Sequence, residues 1–272
     1  MQDIESSFLK EKKIGLIASI GGAMLYGMEV IGQSVDFGYR TLKSLREVHR
    51  RSDLILSEMV CIGTSSLFIG SFLAFFVGMV LVVQSADQLE NYSQEVLGSI
   101  VGLAITKELG PVFMAFLLAG RAGSAMAAEL AAMAVYEEIS ALKTLDIKPD
   151  SYLIMPKVVA TTLSLPLLIL YADLVGIYGG AFAVKIDPAI KISVRAYFDN
   201  LKIYLELSDI LVGTIKGLVF GFIIGVLSCT IGLRAKRGTE DISAATTSAV
   251  VWSFIAVVIF DYIIVRIVLV TV

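Results

Sequence analysis

The residues best placed to do chemistry in this sequence are charged side chains set inside apolar runs. Lys107 and Glu108 stand just before Gly110-Pro111. A proline inside a helix removes a backbone donor and bends or breaks the helix. The carbonyls so freed need partners, which a water-filled cavity can supply. The pair therefore reads as part of a polar pocket near one face of a membrane. The plainer alternative is a lysine that snorkels to the surface and a glutamate that caps the restarted helix. Farther along, Arg121 and Glu129 are eight residues apart. That is about 80° around a helix, so they can share a polar interior without touching. Ionisable groups at such depth are costly and face a bundle interior, a cavity or a partner. Either they meet a substrate or they satisfy buried neighbours.

Two rows of small residues accompany them. Gly120, Ser124, Ala128 and Ala132 form one, and Ala119, Gly123, Ala127 and Ala131 the other. Such rows let helix backbones approach closely in lipid. The segment Met133 to Pro149 then changes character. Tyr136, Ile139, Leu142 and Leu145 recur at three-residue steps among Glu137, Glu138, Lys143, Asp146 and Lys148. This is a short amphipathic helix, suited either to a groove in a soluble partner or to a membrane interface.

Chemistry of the familiar enzyme kinds finds no support. No G-x-x-x-x-G-K-[ST] loop occurs to cradle a phosphate, and no G-x-S-x-G elbow. The single histidine, His49, excludes H-E-x-x-H, and with Cys61 and Cys229 inside apolar runs a zinc site is not expected. No catalytic residue, metal or cofactor is expected in this chain. If transport here is active, either another chain hydrolyses ATP or an ion gradient drives it.

The elements that position these groups are long and apolar. The 272 residues are 57% hydrophobic and 17% charged, with a mean hydropathy of +0.83. Soluble domains run nearer 45–50% apolar and about 25% charged. The net charge of -3 recommends no nucleic-acid partner. Blocks long enough to span a bilayer cover about 54–83, 96–135, 152–184, 210–233 and 247–270. With the N-terminus inside, the inner segments hold 11 Lys and Arg and the outer ones 4. The positive-inside rule thus puts the N-terminus in the cytoplasm and the C-terminus on the periplasmic side.

Residues 14–37 carry the stripe Ile14, Ile17, Ile20, Met24, Met28, Ile31 and Val35, flanked on both sides by basic residues. That pattern reads as a helix lying in the cytoplasmic interface, with a sixth span as the alternative. A cleaved signal peptide fits worst, since no A-x-A site follows. The expected fold is an all-α membrane protein. Five transmembrane helices follow an N-terminal interfacial amphipathic helix, and a short cytoplasmic helix lies between spans 2 and 3. The expected organisation is an N-terminal region, 1–51, and a five-span domain, 52–272.

Several strings resemble one family. Glu108 to Glu129 (ELGPVFMAFLLAGRAGSAMAAE), Glu137 to Pro149 (EEISALKTLDIKP) and Pro156 to Leu168 (PKVVATTLSLPLL) are similar to the MlaE-type (YrbE-type) permeases of ABC transporters. Phe76 to Gln84, Ala245 to Val251 and Asp261 fit as well. The resemblance runs from about Leu54 to the C-terminus. It implies a non-catalytic inner-membrane permease that works as a homodimer with two cytoplasmic ATPase subunits, which hold the ATP and Mg. It further implies an MCE-domain protein on the outer side and a membrane lipid, such as phospholipid, as cargo. In the family, the segment matching Glu137 to Pro149 is the coupling helix that seats in the ATPase. The pair matching Lys107 and Glu108 belongs to its lipid pocket. A lysine grips phosphate as a point charge, where an arginine would grip it bidentately.

One stretch departs from the family. Where a glycine-rich loop of the type GGAxGVG is usual, this chain has Arg237, Gly238, Thr239, Glu240, Asp241, Ile242 and Ser243. Arg237, Asp241 and Ser243 replace glycines, so a stiffer, more charged loop is expected. The sequence-based site is then Lys107, Glu108, Arg121 and Glu129 for lipid, with Tyr136, Glu137, Glu138, Ile139, Leu142 and Leu145 for the ATPase. The rival class is an ion-coupled secondary carrier of an amphiphile, with Glu108, Glu129, Asp173 or Asp261 binding a proton or cation. A third class is a passive scaffold that anchors an outer lipid-binding protein.

Overall fold

The computed structural model describes residues 25, 27–43, 51–89, 96–236 and 238–271. Among them, five helices are long and apolar enough to cross a membrane: Ser52–Gln88, Leu97–Val135, Asp150–Ile186, Leu207–Gly232 and Thr239–Val270. This is a multi-pass membrane protein. The first span has 37 residues, about 55 Å at 1.5 Å per residue, so it outreaches a hydrocarbon core of about 30 Å. The fifth starts at Thr239, eight residues before its apolar block, because a polar first turn prolongs it.

Residues 27–43 form helix α1, and α2 is Ser52–Gln88. The second span is composite: α3 (Leu97–Ala104), a π-helical turn (Ile105–Leu109), α4 (Gly110–Leu118), a second π-helical turn (Ala119–Gly123) and α5 (Ser124–Val135). The short α6 (Glu138–Thr144) and a third π-turn (Asp150–Ile154) lead into α7 (Met155–Ile186). Then follow α8 (Val194–Tyr204), α9 (Leu207–Gly232) and α10 (Thr239–Thr271).

Gly110-Pro111 does not break the span. The chain stays helical because one extra residue is absorbed in the π-turn before it, and Pro111 falls in the first turn of α4, where its missing N–H costs least.

Glycines set the helix packing. On α9, Gly213, Gly217, Gly221 and Gly225 form one row at four-residue spacing. A Cβ on Gly221 would stand 2.6 Å from the Thr161 carbonyl, and one on Gly217 would meet the Pro166 backbone at 3.2 Å. The α7 and α9 backbones therefore touch. On α2, a Cβ at Gly78 would lie 1.9 Å from the Gly176 carbonyl of α7. Of the two small-residue rows in the second span, Ala119, Gly123, Ala127 and Ala131 are buried, while Gly120 is exposed and Ser124, Ala128 and Ala132 half-buried.

The helix α1 lies against the bundle by Gly27, which meets the Trp252 ring, and Gly38, which meets Phe222 and Val226. Its apolar stripe, Met28, Ile31 and Val35, stays exposed, and Ile31 and Val35 line an open groove against Phe222 and Ile223 of α9 and Ala256 and Phe260 of α10. The earlier part of that stripe, Ile14 to Met24, lies outside the described residues, as does Arg237. Elsewhere, α8 clasps the start of the second span. Tyr197 of α8 is wholly buried and donates to the Ile177 carbonyl at 3.4 Å, and burial holds its hydroxyl above the ordinary tyrosine range.

Candidate functional site

Lys216 is the centre of the candidate site. It sits in the apolar α9 and is 1% exposed. An ammonium removed from water must recover its lost interactions within the protein. Its Nζ donates to Glu108 Oε2 at 2.6 Å and to the Lys107 carbonyl at 2.8 Å. The third contact is Asp261 Oδ1 at 2.9 Å, an ion pair off the line of a hydrogen bond. The bond to the carbonyl explains how the proline is tolerated. Pro111 has no N–H to offer the Lys107 carbonyl four residues back, and Lys216 supplies the missing donor.

Beside this triad Lys107 Nζ reaches Asp209 Oδ1 at 2.7 Å. Asp209 does two things at once. Its other oxygen accepts from the Glu206 N–H at 3.0 Å in the capping box that starts α9. The network therefore ties α9 and α10 to the first π-turn of the second span. It holds two ammonium groups and three carboxylates, and it lies toward the α8 end. Lys107 and Glu108 are 43% and 44% exposed, each paired to a more buried partner, Asp209 and Lys216, so charges of both signs reach the surface at this turn. Charges of both signs at one turn can meet a zwitterionic or anionic group.

The four pocket residues expected from sequence are not brought to one place. Lys107 and Glu108 share the Lys216 ammonium, one by its carbonyl and the other by its carboxylate. Glu129 is 21 residues beyond Glu108, roughly 31 Å along the helix, and pairs instead with Lys157. Arg121 lies between, half-buried on the second π-turn, its Nη1 buried and without a hydrogen-bond partner among the described residues. Asp173 of α7 is buried, with Oδ1 against Gly110 so closely that a Cβ there would stand 2.0 Å away. No group of three or more His, Cys, Asp and Glu that could hold a metal ion occurs among the described residues.

Sequence reasoning does not single out Lys216 or Asp209, nor the burial of Lys157. A signal exists for Lys216, since a lone lysine deep in an apolar span is a functional flag in itself. Asp209 looks like an ordinary residue at a span's edge.

At the α6 end the expected short helix is present as a separate element. Two non-glycine residues in left-handed conformation bracket it, Glu137 at φ 58° and Asp146 at φ 60°. The Ile147 N–H bonds the Leu142 carbonyl at 3.0 Å and the Asp146 N–H bonds the Lys143 carbonyl at 3.1 Å. That pair of bonds is a Schellman ending, which stops the helix after two turns. Tyr136, Glu137, Glu138 and Leu145 are exposed, and Ile139 and Leu142 half-buried, so the apolar stripe remains open in part. In the turn into α10, Asp241 accepts from the Lys236 N–H at 2.9 Å. Asp241, expected from the resemblance to replace a glycine, thus bonds across the turn, and Gly238, at φ 84°, takes a left-handed position.

Comparison with known proteins adds a family. The sequence profile described as Permease MlaE matches residues 55–267. A probable ABC transporter permease protein of Rickettsia typhi is 38% identical over 84% of this chain and 88% of its own length. One of Synechocystis is 35% identical over 79% of this chain and 81% of its own. The chloroplastic protein TRIGALACTOSYLDIACYLGLYCEROL 1 of Arabidopsis thaliana is 35% identical over 80% of this chain and 61% of its own.

Proposed function

The chain belongs to the MlaE permease family, and on that premise we propose that it is the membrane subunit of an ABC transporter that moves phospholipid or a related lipid. A separate ATPase docks on α6 and supplies the energy. The observation that carries the lipid reading is the pair Lys107 and Glu108, half-exposed on a buried charge network in an otherwise apolar bundle. A headgroup finds charges of both signs there. The name of the Arabidopsis relative, which contains a diacylglycerol glycolipid, points the same way.

The positive-inside count supports an α6 end in the cytoplasm and a network toward the outer leaflet of an inner membrane. There an MCE-domain protein would receive or deliver lipid. The exposed apolar stripe of α1 would then lie in the cytoplasmic interface. The span α10 leaves Val251, Ile255, Val258 and Tyr262 exposed at helical spacing, a face on which a second copy would pack to form the homodimer. ATP-driven movement of α6 would rock the spans and open or close the lipid pocket between the copies.

The test is a mild-detergent pull-down of the tagged chain, with bound proteins and lipids identified by mass spectrometry. Recovery of an ATPase at one copy per permease, with enriched phospholipid, supports the reading. A chain recovered without an ATPase in several detergents contradicts it. The ion-coupled carrier rests on Asp173, a buried carboxyl whose Oδ1 has no hydrogen-bond partner among the described residues. It requires transport that follows an ion gradient instead of ATP.

A further inference from the structure

A second charge cluster lies at the other end of the bundle, and the lipid reading makes no use of it. Lys157 Nζ donates to Glu58 Oε1 and to Glu129 Oε2, each at 2.8 Å. Lys157 belongs to α7, Glu58 to α2 and Glu129 to α5, so one ammonium joins three spans. The lysine itself is buried among apolar side chains. Met155 and Val159 pack with Ile55 on one side, while Val158 packs with Leu130 and Cys229 on the other.

Its place in the chain gives the cluster meaning. Glu129 lies seven residues before Tyr136, where the chain turns into α6. Lys157 lies just beyond the π-turn Asp150–Ile154, where the chain returns from α6 into α7. The cluster therefore ties together the two spans that flank α6 and fastens both to α2. The span that ends in α5 also carries, across its two π-turns, Glu108 and the Lys216 network.

We infer that Glu58, Lys157 and Glu129 form a clamp that makes the α6 ends of α2, α5 and α7 move as one body, so that a displacement of α6 reaches the Lys216 network. This inference rests on the proposed ATP-driven function. Lys157 is a positioning residue in it, acting through the spans and touching no lipid. Without the ammonium, two carboxylates lose the cation they share and push α2 and α5 apart. The stroke of α6 is then absorbed at that end of the bundle.

The test measures lipid moved per ATP hydrolysed by the reconstituted permease–ATPase complex, using a fluorescent phospholipid as probe. Lys157→Met is expected to lower this ratio about tenfold, within the ordinary range of coupling between sites, while hydrolysis continues. Lys157→Arg, which keeps the charge, is expected to restore most of it. A Lys157→Met complex with the wild-type ratio would overturn the clamp, and so would a Lys157→Arg complex as uncoupled as Lys157→Met. Should Lys157→Met fail to assemble, Glu58→Gln loosens α2 alone while the ammonium stays paired to Glu129. It is expected to lower the ratio too, and a wild-type ratio there would equally overturn the clamp. A wild-type complex that moves no lipid with ATP would instead defeat the proposed function, so the two failures show in different arms.

Discussion

Lys216 donates to the Glu108 carboxylate at 2.6 Å and, with the same nitrogen, to the Lys107 carbonyl that Pro111 cannot serve. One buried ammonium thus completes the backbone of the second span and holds the acidic half of the candidate lipid site. Structure and function share a single atom there.

Lys216→Met is therefore expected to destabilise the fold. It leaves a carbonyl without its donor and takes the shared cation from Glu108 and Asp261, a loss of about 2 kcal/mol. Thermal unfolding of the purified chain in detergent checks this, and a melting temperature equal to wild type would contradict it.

Glu108→Ala has a different expected outcome. Without Glu108 the Lys216 ammonium keeps Asp261 and the Lys107 carbonyl, so the bundle should stay assembled, with the ATPase bound, while lipid movement falls. Co-purification and a transport assay on the same preparation separate the two effects. Loss of the complex would make Glu108 a structural residue.

Leu142→Asp is expected to release the ATPase, because a charge enters the apolar stripe of α6. Normal co-purification of that variant would remove the docking assignment. The bracket of α6 offers an independent check. Asp146→Val places a β-branched residue at φ 60° and should weaken ATPase binding without touching the stripe, whereas Asp146→Gly should preserve it.

Gly78→Ala is expected to cost about 2 kcal/mol or more, since its methyl would stand 1.9 Å from the Gly176 carbonyl and force α2 from α7. Gly120→Ala, with no atom of the described residues within 4 Å of the added methyl, is the control that should unfold no lower than wild type.

Much of the architecture is legible beforehand because span-length apolar runs leave little choice of structure. The five spans and the separate α6 follow from hydropathy and a three-residue stripe. The π-turns are not legible, since Gly110-Pro111 reads as a break and not as the π-turn Ile105–Leu109 that precedes it, and Ala119–Gly123 has no local signature. The same limit applies to the site. Lys107 and Glu108 stand out beside Gly110-Pro111, but their partners Asp209, Lys216 and Asp261 are brought in by tertiary packing. Sequence groups Glu129 with them because it shares their span, and only the packing of α7 shows that its partner is Lys157.

The most direct measurement reconstitutes the chain with its ATPase in liposomes and follows a labelled phospholipid leaving them, with ATP and with a proton gradient as separate energy sources. The account predicts movement that requires ATP, survives collapse of the gradient and is lost in Glu108→Ala. Movement that follows the gradient and ignores ATP would contradict it.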